Sequence, residues 1–230
     1  MPSESDLNAL HNAKISDSTH RRGSVPFAFP EAKSSISGVS VSYVPSSDKT
    51  WFVLRILYGH TRQVADMLVD DQVYCYVAMI WKDVRKNGKR RRVLVPFLNL
   101  VFAYATPGQA EHYVKDCPES RFITYYYNHF ATDAFGKNPP LTIDQGDMEP
   151  LVRATALQDP HVMEVNIAKC HFTSGDTVRV TYGPFEGIEG RVARINRQSR
   201  VVVYIKGLQA GICTAYIPSH CLEKVNGDGK

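Results

Sequence analysis

From Gly175 to Val192 the chain reads G-D-x-V-R-V-x-x-G-P-F-x-G-x-x-G-x-V, and this punctuation constrains the fold more than any other stretch. Val178 and Val180 alternate, so they face one side of a strand. Gly183 permits positive φ, and Pro184 presets the turn that follows. Gly187 and Gly190 let the backbone re-enter a sheet where a Cβ would clash. Phe185 stands at the loop tip, either folded over the end of the sheet or offered to a partner. Glycine at this density opposes a helix, so the segment is expected to be short strands.

The same texture continues downstream. DTVRV (176–180), GRVARI (190–195), RVVVYI (200–205), GICTAYI (211–217) and CLEKV (221–225) are β-prone runs separated by turn-forming residues. Five such runs within residues 171–225 predict a small SH3-like β-barrel. Residues 226–230 are expected to fray.

Residues 49–157 have a different pattern, which predicts an α+β sandwich: an antiparallel sheet with flanking helices. WFVLRIL (51–57), VYCYVAMIW (73–81), VLVPFLNLVFAYA (93–105) and FITYYY (122–127) read as strands, and LTI (141–143) as a short extended piece. One helix opens at Thr61. A second opens at Thr106-Pro107-Gly108-Gln109, where threonine can cap, proline suits the first helical position and glutamine completes a capping box. A third is expected from Asp147 to Leu157, because Pro150 is tolerated in a first turn and not in an interior. The 93–105 run is apolar on both faces. Such a strand is either covered on both sides or binds something. Residues 158–170 read as a linker.

Residues 1–50 contain 12 Ser and the remaining 180 contain four. Residues 1–48 are therefore expected to form a flexible tail. Val39, Val41 and Tyr43 alternate within it and would supply an edge strand if that part is ordered.

Charge is concentrated in one place. Lys82 to Arg92 reads KDVRKNGKRRR, an excess of +6 against +4 for the whole chain. Asn87-Gly88 sits at its centre, and Asn-Gly between two strands signals a hairpin. The cations thus belong to a hairpin tip. Arg90, Arg91 and Arg92 are consecutive, so at most two of them share a face. The tip is a solvated surface, a contact for DNA phosphates, or a contact for nascent RNA.

Catalysis is not expected. No G-x-S-x-G, P-loop, G-x-G-x-x-G or H-E-x-x-H sequence occurs. The five cysteines are widely spaced without a zinc pattern and read as reduced thiols. No metal, cofactor, catalytic residue or small-molecule substrate is assigned. No run reaches the roughly 18 apolar residues of a membrane span, and no secretory leader is visible, so a cytoplasmic monomer is expected.

The 175–192 pattern resembles a KOW motif. With Trp51-Phe52-Val53-Leu54-Arg55 opening the preceding domain and R-x-V-L-V-P-F-L-N-L-V-F at 91–102, the chain resembles the NusG family of transcription elongation factors over residues 51–225. The resemblance implies an NGN-type domain that docks on the clamp of bacterial RNA polymerase and suppresses pausing or termination. It implies a KOW barrel that recruits a ribosomal protein or termination factor. The positions matching the polymerase-facing patch are Leu100, Phe102, Ile143 and Leu151. The hairpin would lie near upstream or non-template DNA, with Arg85, Lys86, Lys89, Arg90 and Arg92 on phosphates. The KOW partner loop would be Gly183, Pro184, Phe185 and Gly187. Two departures stand out. The family's P-L-F-P-G/N-Y entry is here Pro96-Phe97-Leu98-Asn99-Leu100. The ending Ala215-Tyr216-Ile217-Pro218 resembles specialised paralogues that act as antiterminators of polysaccharide operons. A ribosome-associated or RNA-binding KOW protein is the alternative.

Overall fold

The computed structural model describes residues 27–195, 197–208 and 210–225. The expected fraying at 226–230 and the tail before residue 27 lie outside them. Two short strands come first, β1 (Ala32–Lys33) and β2 (Ser40–Val41). Then follow β3 (Thr50–Ile56), α1 (Thr61–Asp70), β4 (Tyr74–Tyr76), β5 (Met79–Lys86) and β6 (Lys89–Pro96). β7 (Leu100–Ala105), α2 (Pro107–Lys115), β8 (Ile123–Tyr125), β9 (Thr142–Ile143) and α3 (Gln145–Ala156) complete the first half. The architecture is mixed α/β with antiparallel sheets. β4, β7, β3 and β8 form the main sheet in that order, and β9 also pairs with β3.

Register sorts the sheet's two faces. Trp51 pairs with Tyr104 and Val53 with Phe102, so these four share one face, while Phe52, Leu54, Val101 and Ala103 share the other. α1 covers the second face, where the Cys75 thiol reaches the Ala65 carbonyl at 3.7 Å. α3 covers the first, where the Tyr76 and Thr155 hydroxyls meet at 2.7 Å. Every residue of β7 is consequently buried. This explains its two-sided apolarity as core. Each large side chain there contributes about 1.5–3 kcal/mol by leaving water.

The expected 73–81 and 93–105 strands are each interrupted. Residues 77–78 separate β4 from β5. Leu98 and Asn99 adopt φ of 53° and 54°, which breaks the second run into β6 and β7. The β5–β6 hairpin can therefore leave the main sheet as a separate ribbon. α2 begins as expected: Gln109 N donates to Thr106 Oγ1 at 3.3 Å, and Thr106 N donates to Gln109 Oε1 at 3.1 Å. α3 begins earlier than expected, with Asp144 at its N-cap and Pro150 inside it. The carbonyl deprived by Pro150 belongs to Gly146, which is exposed and can be hydrated, while Met148, Leu151 and Val152 gain burial.

Serine content placed residues 27–48 in a flexible tail, but these residues pack on the sheet. Tyr43 stacks on Trp51 with centroids 5.5 Å apart and touches the rings of Phe29, Tyr74 and Tyr104. Tyr74 Oη donates to the Pro30 carbonyl at 2.6 Å, and Ser46 N donates to Tyr104 Oη at 2.8 Å. Ser35 donates twice to Asp66 of α1. A few aromatic anchors thus hold a serine-rich strap on an apolar face. Val41 does lie in a strand, β2, which pairs with β1 rather than with the main sheet.

The second half contains β10 (Met163–Asn166), β11 (Phe172–Val180), β12 (Glu189–Ile195), β13 (Gln198–Tyr204), β14 (Ala210–Tyr216) and β15 (Leu222–Lys224). They form one antiparallel sheet in the order β10-β14-β13-β12-β11-β15. The segment expected to be a linker supplies β10, which pairs with β14. It is also tied to the hairpin. Lys82 pairs with Glu164 at 2.6 Å, Trp81 Nε1 donates to the Gln158 carbonyl at 2.8 Å, and Arg92 donates to the Pro160 carbonyl. Most buried apolar residues of both halves form one continuous cluster, and Ala193, Val202 and Cys213 form a second, smaller one within the second half.

Candidate functional site

The basic hairpin is exposed along the whole of Lys82 to Arg92. Asn87 and Gly88 have φ of 52° and 73°, positive at both positions, as a tight two-residue hairpin turn requires. Asp83 lies opposite Arg92, Val84 opposite Arg91, Arg85 opposite Arg90, and Lys86 opposite Lys89. One face of the ribbon therefore carries Asp83, Arg85, Arg90 and Arg92. The other carries Val84, Lys86, Lys89 and Arg91.

The two faces differ electrically. On the first, Arg90 Nη2 donates to Asp83 Oδ2 at 2.6 Å, and Arg92 is bound to the Pro160 carbonyl. Arg85 has no such partner among the described residues. On the second face, Lys86, Lys89 and Arg91 are exposed, and no carboxylate among the described residues pairs with them. Like charges set opposite each other disfavour the folded ribbon unless something neutralises them. Phosphate oxygens would do so. Arg91 is not among the residues expected on phosphates from sequence, and the register places it on one face with Lys86 and Lys89. Arg90 and Arg92 were included but are engaged within the protein.

The four positions matching the polymerase patch are placed in the core. Leu100, Phe102, Ile143 and Leu151 are each 3% exposed or less. In this arrangement none presents its side chain to a partner. β7 is central, and α1, α3 and the 27–48 strap cover the sheet.

The 183–187 loop resolves the two alternatives for Phe185. Gly183 and Gly187 take φ of 98° and 82°. Glu186 N donates to the Gly183 carbonyl at 3.0 Å, and Gly187 N donates to the Val180 carbonyl at 2.8 Å. The loop folds inward and buries Phe185. Tyr182, Pro184 and Glu186 are its exposed side chains. Gly187 faces the first half: a Cβ there would lie 3.3 Å from Arg153 Nη1. Arg153 is held by Glu149 at 2.7 Å and lies over the Phe27 ring, 4.1 Å from its centroid.

The thiols do not form a reactive set. All five cysteines are free. Burial pushes Cys75 up to about 12 and raises Cys117, Cys170 and Cys213, so these sulfurs stay protonated near neutrality. Among the described residues no group of three or more His, Cys, Asp or Glu is arranged to hold a metal ion. No helix among them is long and apolar enough to cross a membrane.

No curated protein matches the chain. The KOW motif family matches residues 174–206, the stretch that runs from within β11 through β12 and β13 to Lys206.

Proposed function

We propose that this chain is a NusG-like transcription elongation factor of the antiterminating kind. On this reading it associates with bacterial RNA polymerase through its first half, steadies nucleic acid with the hairpin and recruits a second factor through the KOW strands. The observation that carries the reading is the exposed Lys86, Lys89 and Arg91 face on a ribbon that projects from an α/β layer preceding a KOW motif. Phosphate contact from such a face is independent of sequence, which suits a factor that stays bound while the template moves. Tyr182, Pro184 and Glu186 are the loop side chains available to a second factor such as a ribosomal protein or termination factor. The Ala215-Tyr216-Ile217-Pro218 ending supports a specialised member serving a polysaccharide operon. Polymerase contact through Leu100, Phe102, Ile143 and Leu151 themselves would require residues 27–48 or α3 to leave the sheet.

The test is co-purification of the tagged full chain with core RNA polymerase, followed by pause assays on the assembled elongation complex. Retention of polymerase and shortened pauses are expected. Retention of ribosomal material in place of polymerase would instead favour an RNA-binding KOW protein. Arg194 and Arg197, exposed around the β12–β13 turn, are the observation favouring that second reading.

A further inference from the structure

A groove of about 670 Å³ lies where the two halves of the chain meet. Its floor is apolar, with Leu141 and Ile143 from the first half and Ile205 and Leu208 from the segment after β13. Phe130 lines it yet remains 72% exposed. One end is polar: Asp144 and Asp147 open α3 there, and Lys206 lies beside them.

The exposure of Phe130 is built into its loop. Phe130 N donates to Asn128 Oδ1 at 3.0 Å. Asn138 Nδ2 donates to the carbonyls of Asn128 and Ala131 at 3.0 and 2.8 Å. The amides of Phe135 and Lys137 both donate to Asp133 Oδ1, each at 2.8 Å. A large aromatic group held toward water by an ordered loop has the form of an interface anchor, because little further ordering is needed on binding.

The charge at the groove's end is unbalanced. Burial and the neighbouring Asp144 raise the Asp147 carboxyl above the usual range, and Lys206 opposes them. Two carboxylates beside one ammonium leave a place for one more cation.

We propose that this groove docks a segment of a partner protein that carries an apolar side chain next to a lysine or arginine. The apolar group seats on Leu141, Ile143 and Ile205 against Phe130, and the cation sits on Asp144 and Asp147. Because the floor comes from both halves, the segment binds only while they are packed together, and its binding stabilises that packing. The proposal goes beyond the transcription reading and does not depend on it.

The experiment is selection of a random peptide display library on the immobilised full chain. Peptides pairing Leu, Ile, Met or Phe with a nearby Lys or Arg are expected. Their affinity should fall about tenfold or more, some 1.4 kcal/mol, in Phe130→Ser and in Asp144→Asn/Asp147→Asn. It should be unchanged in Lys86→Glu/Lys89→Glu/Arg91→Glu. Urea midpoints confirm that each variant is folded, and Phe130→Ser alters an exposed side chain, so at least one variant reports on the groove alone. Failure to enrich any peptide, enrichment of peptides without a basic residue, or binding indifferent to both groove variants would overturn the proposal.

Discussion

Leu141 of the first half fills the space beside Gly207 of the second so closely that a Cβ at 207 would fall 2.5 Å from Leu141 Cδ1. Gly207 also has φ of 101°. Gly207→Ala is therefore expected to lower stability by about 1–3 kcal/mol, mostly from backbone strain, since a leucine methyl can rotate away. It should also loosen the joint between the halves. Urea unfolding and hydrogen exchange at Leu141 and Leu208 measure the two effects.

Gly190 makes a harder contact. A Cβ there would meet the Val202 carbonyl oxygen at 2.5 Å and Val201 Cγ1 at 2.8 Å. Backbone cannot rotate away, so β12 and β13 would have to separate. Gly190→Ala is expected to destabilise the second half by about 1–3 kcal/mol, the range typical of overpacking. Unaltered urea midpoints would show that the strands yield more easily than their spacing implies.

Phe102 is fully buried between the sheet's covering layers. Phe102→Ala should cost about 3–5 kcal/mol, whereas Phe102→Leu should cost much less. If Phe102→Leu is folded and still retains polymerase, the residue acts through packing. Loss of polymerase from a stably folded Phe102→Leu would mean that the face opens and is used directly.

The hairpin's unpaired face predicts a salt signature. If Lys86, Lys89 and Arg91 each neutralise one phosphate of duplex DNA, replacing all three by Gln should flatten the plot of log affinity against log salt by roughly 2.7. Arg90→Gln should do less, because Arg90 is paired with Asp83. Filter binding at several salt concentrations decides it, and an unchanged slope would remove nucleic acid from the hairpin's role.

Stability should fall at alkaline pH. Burial pushes both the Cys75 thiol and the Tyr76 hydroxyl up to about 12, from ordinary values of 9.0 and 10.0. Above those ordinary values the unfolded chain loses these protons while the folded chain keeps them. Their stabilisation is thus complete below about pH 9 and is lost as pH rises toward 12, at on the order of 1 kcal/mol per pH unit for each group. Urea melts from pH 8 to pH 11 should show the decline, and Tyr76→Phe should make it shallower.

The clearest sequence signals were those whose physics is local. Thr106-Pro107-Gly108-Gln109 specified a helix start, and Asn87-Gly88 specified a hairpin, because capping and positive φ depend on a few adjacent residues. The five downstream strands were legible for the same reason, through alternating β-branched residues and glycine turns. Signals that depend on distant partners misled. Serine content hid the strap, because Phe29 and Tyr43 acquire their meaning only against Trp51, Tyr74 and Tyr104. The apparent linker hid β10, whose pairing partner lies some fifty residues later in β14.

The sequence by itself determined the helix start at Thr106, the hairpin turn at Asn87-Gly88, the five strands after residue 175, and that the cations cluster on one ribbon. Tertiary structure alone decided which of those groups meet water. β7 is apolar on both faces whether it is covered or free, and only the packing of α1 on one face and of α3 and the strap on the other makes all of it core. Likewise, cross-strand register sets Lys86, Lys89 and Arg91 together on one open face of the ribbon, while Arg90 and Arg92 on the other are engaged within the protein. Burial and charge pairing depend on what the rest of the chain brings alongside, and short stretches of sequence do not carry that information.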